Sequence, residues 1–135
     1  QPRPPTLRTD SVDIEKAWHG LHFLFTDTAE GGDEPACYLM RGGEAVDDEG
    51  FARALRPDQV RRFAAFLAVL SAKELKGRFD ATRMTKLDIY PSTIWQRPAE
   101  GGKSPVTWLI AAFEELKTFV DRAAEANDGV IVHIA

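Results

Sequence analysis

The sequence predicts a single α+β domain, mainly helical, with a small sheet that includes its C-terminal strand. Three observations carry that expectation. Apolar residues recur at helical spacing in several stretches, and most of those stretches open on a side chain suited to capping a helix. The chain instead closes on a β-branched run, Val130-Ile131-Val132-His133-Ile134-Ala135. Its 135 residues, 44% hydrophobic and 28% charged, are enough for one core without disulfides or metals.

The first five residues hold three prolines (Pro2, Pro4, Pro5), which block a helix, so residues 1–10 are expected to form a flexible, proline-rich arm ahead of one domain at 11–135. Asp10, Ser11 and Asp13 offer acceptors for the free N–H groups of a helix starting near Ile14. In that helix Ile14, Trp18, Leu21 and Phe25 share one apolar stripe, and Glu15, His19, His22 and Thr26 share a polar stripe one position further round. Gly20 lowers helix propensity and so points to close approach of another backbone.

Residues 27–50 change character, with eight acidic residues against one basic residue, Arg41, and five of the ten glycines. This reads as a long, solvated connection anchored by a short apolar plug, Ala36-Cys37-Tyr38-Leu39-Met40. Pro57 opens the next helix, with a stripe of Val60, Phe63, Ala64, Leu67 and Leu70. Ser71 with Glu74 is a capping box for a short helix ending near Phe79, and Asp80 caps another carrying Met84 and Leu87.

Tyr90 precedes Pro91 and is pushed toward extended geometry, ending the helical pattern. A loop over 92–103 contains Trp95. Ser104-Pro105 then starts the longest helix, striped by Leu109, Phe113, Leu116, Val120 and Ala123, and Asn127-Asp128-Gly129 stops it. The final apolar strand has no polar face apart from His133, which predicts burial on both sides. Its candidate partners within the chain are Tyr38–Met40 and Asp88–Tyr90; an extra strand upstream of Gln1 would also serve.

A net charge of −4 with no dense Lys/Arg run argues against nucleic-acid binding. A single cysteine, Cys37, and the lack of a visible leader or long apolar run point to the cytoplasm and away from a membrane. Gly102-Lys103-Ser104 echoes the end of a phosphate-binding loop, but Arg97 stands where the first glycine of that motif would be.

Several blocks together resemble the YfbM-like bacterial proteins, domain-of-unknown-function family 1877. They are Lys16-Ala17-Trp18-His19-Gly20-Leu21-His22-Phe23-Leu24-Phe25-Thr26, the Leu55–Val60 helix start, Leu75–Asp80, Asp88-Ile89-Tyr90-Pro91 with Trp95, and the last helix plus strand. The resemblance runs from about Val12 to the C-terminus. It implies a mainly helical α+β fold with a small sheet, in a family without an assigned activity. Members usually carry an N-terminal segment with a strand ahead of the Trp18 helix, for which this chain offers only the arm. They also usually have Ser or Thr where Arg56 stands, so a helix cap is expected to be lost.

Four residues from these blocks, Trp18, His22, Tyr90 and Trp95, are candidates to line a ligand or partner site, because aromatic groups with polar tips suit such surfaces. The competing expectation makes Trp18 and Tyr90 core anchors. His22 is the candidate general acid/base of a small enzyme. Glu15, His19 and His22, at i, i+4, i+7, are a weak metal-ligand set lacking a further ligand; the alternative has His22 bonded to a backbone carbonyl and His19 paired with Glu15 at the surface. No cofactor is expected. The function expected is a non-catalytic binding or interaction module for an unknown protein or small molecule. One version is immunity-like, with the acidic 27–50 segment neutralising a basic partner.

Overall fold

Helix α1 (Trp18–Thr26) is the centre of the structure, because its sequence leaves almost no face for water. Every residue from His19 to Phe25 is buried, as expected of a helix that is apolar nearly all round. The computed structural model describes residues 11–49, 51–97 and 104–134; the predicted arm at 1–10 and the 98–103 part of the predicted loop lie outside them. A 3₁₀ turn at Glu15–Ala17 precedes α1. Asp13 accepts from the Glu15 N–H at 2.8 Å, and Glu15 has φ 52°. The helix therefore starts at Trp18 and not near Ile14, where the stripe suggests.

The C-terminal end of α1 is held by cations from the following helices. Asp27 closes it in the left-handed region, its N–H bonded to the Phe23 carbonyl. Arg78 donates to the Leu24 carbonyl at 3.0 Å, and Arg83 donates to the Asp27 carbonyl at 3.1 Å while also pairing with the Asp27 carboxylate. Positive charge at that end opposes the negative pole of the helix. These arginines come from α4 (Ala72–Arg78) and α5 (Ala81–Lys86), whose N-termini are capped by Ser71 and Asp80 as the sequence predicts.

Two longer helices enclose α1. α3 (Pro57–Ala68) buries Val60, Phe63, Ala64 and Leu67, and α6 (Pro105–Glu125) buries Leu109, Phe113, Leu116 and Val120. Their stripes match those read from periodicity. Ser104 accepts from the Thr107 N–H to start α6. At α3 the cap is only half lost: Arg56 supplies no acceptor, but the Gln59 side chain accepts the Arg56 N–H at 2.9 Å, the reciprocal half of a capping box.

The apolar plug forms as a short helix, α2 (Tyr38–Arg41), with Cys37, Tyr38 and Leu39 buried. It therefore cannot pair with the C-terminal strand. The actual partner carries no strand signal in the sequence. β1 (Glu44–Ala45), β2 (Ala52–Leu55) and β3 (Val130–His133) form an antiparallel sheet in the order β1-β2-β3, with Ala54 opposite Ile131 and Leu55 opposite Val130. The expectation that β3 is covered on both faces is corrected. Its residues alternate between half-buried and exposed, and Ile131 is 61% exposed, because helices pack on one face of the sheet only. Asp88–Tyr90 is not a strand.

Gly20 is a point of close approach, but to side chains rather than to backbone. A Cβ there would lie 2.7 Å from Leu109 Cδ2 and 2.8 Å from Trp95 Cη2, both in fully enclosed side chains. Gly20→Ala is therefore expected to destabilise the fold by about 1–2 kcal/mol, overpacking outweighing the gain of roughly 1 kcal/mol in helix propensity. Urea unfolding would show this; a stabilised variant would mean that the Leu109 contact yields freely.

Candidate functional site

The polar stripe of α1 divides into two histidines with opposite settings. His19 is tied down by backbone. Its Nε2 lies 2.7 Å from the Ala29 carbonyl, and its Nδ1 lies 2.8 Å from the Tyr90 N–H. A carbonyl can only accept and an N–H can only donate, so the ring is neutral with its proton on Nε2. One imidazole thus joins α1 to the 27–37 connection and to the loop after α5. Neither nitrogen is left to ligate a metal.

His22 is enclosed instead of bonded. It is 0% exposed, and neither ring nitrogen reaches a hydrogen-bond partner. Burial pushes its pKa down from 6.5 to about 4, against a smaller opposing push from the Gly31 backbone. The ring is neutral at pH 7. The expected roles of the two residues are therefore exchanged: His19 makes the backbone bond expected of His22, and His22 is shut away from solvent.

The metal face suggested by the sequence does not assemble. Glu15 sits outside the helix, in a turn with positive φ, so its spacing to His19 and His22 is not helical. Among the described residues no group of three His, Cys, Asp or Glu side chains stands close enough to hold an ion. Cys37 is buried, and burial pushes its thiol pKa up, which opposes thiolate chemistry.

The aromatic candidates separate likewise. Trp95 is 1% exposed, with its indole N–H donating to the Ile89 carbonyl at 2.7 Å and its ring against Phe79 and Trp108. It is a core residue. Trp18 is half-buried and stacks on both His19 (centroids 4.9 Å apart, 9° between planes) and Tyr90 (5.7 Å, 23°). Tyr90 is 43% exposed. Trp18 and Tyr90 therefore meet at the surface, while His22 and Trp95 lie beneath it.

Trp18 also borders a larger feature that periodicity does not disclose. A groove of about 1050 Å³ runs between β3 and the C-terminal half of α6, walled on one side by Asp13, Ile14 and Glu15. Phe119, Val130 and Val132 give it apolar surface, and Glu114 and Glu115 line it from α6. His22, Tyr90 and Trp95 do not line it. The signal that could have located it is Phe119: it lies three residues beyond Leu116 in a helix that already has a complete core stripe, so its ring must serve a second surface.

The acidic 27–50 segment is partly neutralised from within. Asp27 pairs with Arg83, and Glu34 accepts from Tyr38 at 2.9 Å and lies 3.5 Å from Arg62. Arg41 donates to the Glu30 carbonyl, and Arg53 clamps the Gly42 and Gly43 carbonyls. Much of this connection is thereby fastened to the body of the domain.

A mainly helical α+β domain with a one-sided, three-stranded antiparallel sheet is the class these features define. The chain belongs to the family described as Domain of unknown function (DUF1877), which it matches over residues 3–133. It is 26% identical over 95 residues to protein YfbM of Escherichia coli (strain K12), a match covering 67% of this chain and 57% of that protein, so the matched stretch spans just over half of the relative's length. The fold is similar to the crystal structure of YfbM, a protein of unknown function from Escherichia coli, with a TM-score of 0.73 at 20% identity, covering 92% of this chain and 81% of that one. Among the described residues no helix is long and apolar enough to cross a membrane.

Proposed function

We propose that this chain is a non-catalytic binding module whose contact surface is the groove between α6 and β3, with Trp18 at its rim. The observation that carries the reading is the groove itself: a concave, apolar-walled surface beside a strand edge is the usual geometry for taking up a ligand or peptide. His22 offers the alternative, a small enzyme, little support, because an acid/base group must reach the proton it transfers and this imidazole is enclosed. An acidic contact with a basic partner, as in the immunity-like version, is better placed on the groove carboxylates than on 27–50, where Asp27 and Glu34 already have partners. The buried, unpaired Cys37 suits a reducing compartment, and the setting we propose is the bacterial cytoplasm.

The test is a screen of short peptides of varied charge and hydrophobicity against the isotopically labelled chain. Saturable shift changes are expected at the Trp18 indole, Phe119 and Val130–Ile134. Changes clustered instead on 27–50 or around Trp95 would refute the assignment of the groove.

A further inference from the structure

We infer that the groove takes its partner as one more β-strand, laid along the outer edge of β3, and that this strand is apolar on alternate residues and basic. The inference rests on the reading of the groove as the contact surface. The Ile134 N–H bonds the Phe51 carbonyl at 2.8 Å, and Val132 and Val130 lie opposite Arg53 and Leu55. In an antiparallel ladder the backbone groups of alternate residues turn to opposite edges. Val130, Val132 and Ile134 therefore turn theirs toward β2. Those of Ile131 and His133 point the other way, toward an edge that no described residue pairs.

Side-chain chemistry then narrows the occupant. A strand on that edge would set every second side chain beside Val130 and Val132, the half-buried face of β3, with Phe119 of α6 behind them. Those positions require apolar residues. Asp13 and Glu15 wall one side of the groove and Glu114 and Glu115 the other, with Arg122 the sole arginine or lysine among the described lining residues. Lysine or arginine at the remaining positions would complement them. A second copy of this chain fits poorly, since it would bring the same carboxylates to face their equivalents.

The probe is a capped eight-residue peptide alternating lysine and valine, titrated into the full labelled chain. Saturable binding is expected, with the Ile131 and His133 amides shifting and showing amide–amide contacts to the peptide. N-methylation of the peptide amides that face β3 removes two or more backbone hydrogen bonds and is expected to weaken binding about ten-fold or more. Replacing lysine by glutamate, or testing a Glu114→Gln/Glu115→Gln variant against the lysine peptide, is expected to weaken it as well. Shifts confined to groove side chains, with both amides unmoved, would overturn strand addition while leaving the groove as the contact surface. No saturable shift anywhere would overturn both. Amide–amide contacts at Ile131 and His133 before peptide is added, from this chain or a second copy, would show the edge already occupied and overturn the inference.

Discussion

Trp95→Ala is expected to cost about 3–5 kcal/mol of folding stability, the range for removing a large aromatic side chain from a packed core. The indole is 1% exposed and fills the space between Gly20, Phe79 and Trp108, so truncation leaves a cavity that surrounding helices cannot close. It also strips the buried Ile89 carbonyl of its 2.7 Å hydrogen bond. Trp95→Phe keeps most of the ring volume and loses that bond, so a smaller loss, about 1–3 kcal/mol, is expected. Urea unfolding of both variants separates the two contributions. A Trp95→Ala protein of unchanged stability that lost peptide binding would return this residue to the contact surface.

Acid is expected to destabilise the protein through His22. Its pKa is about 4 in the fold against 6.5 for a free imidazole, so between those values the unfolded chain binds a proton that the native state excludes. The stabilisation is fully present above about pH 6.5 and is lost as pH falls toward about 4, amounting to roughly 3 kcal/mol over that window. His22→Leu, similar in volume and without nitrogens, is expected to fold at neutral pH and to lose roughly that much less stability on acidification. Chemical unfolding of both proteins at pH 7 and pH 4.5 reads the difference. Parallel pH curves would mean that the imidazole reaches water or a partner in solution.

The helices are legible because each carries its own local signals. Ser71, Asp80 and Ser104 mark starts that the structure reproduces, and the stripes of α3 and α6 name the residues they bury. The sheet is not legible, because β2 is Ala-Arg-Ala-Leu and β1 only Glu-Ala. Neither has the β-branched or aromatic content that marks a strand, and both are strands only because they pair with each other and with β3. The C-terminal run does form a strand as its residues predict, yet its composition alone does not reveal that only one face is covered.

The candidate site shows a different limit. Helical spacing correctly places His19 and His22 on the same helix, but whether an imidazole meets water, backbone or apolar side chains depends on segments far away in sequence. Tyr90, which fixes the Nδ1 of His19, lies 71 residues on. Pairing Glu15 with His19 fails for a local reason: the chain at Glu15 has φ 52°, which breaks the helical phase. The groove is assembled from three separated segments, so no single window of sequence contains it.

The carboxylates around β3 also bear on how the protein avoids fibrillar association. A short run of valine and isoleucine with an unpaired edge among the described residues is a template on which further copies can stack. Asp13, Glu15, Glu114 and Glu115 stand beside that edge and act as gatekeepers, repelling an identical strand bearing the same charges. The protection depends on ionisation. Below the carboxylate pKa range, where His22 also weakens the fold, the repulsion fades, and acid exposure makes β3 the segment from which aggregation begins.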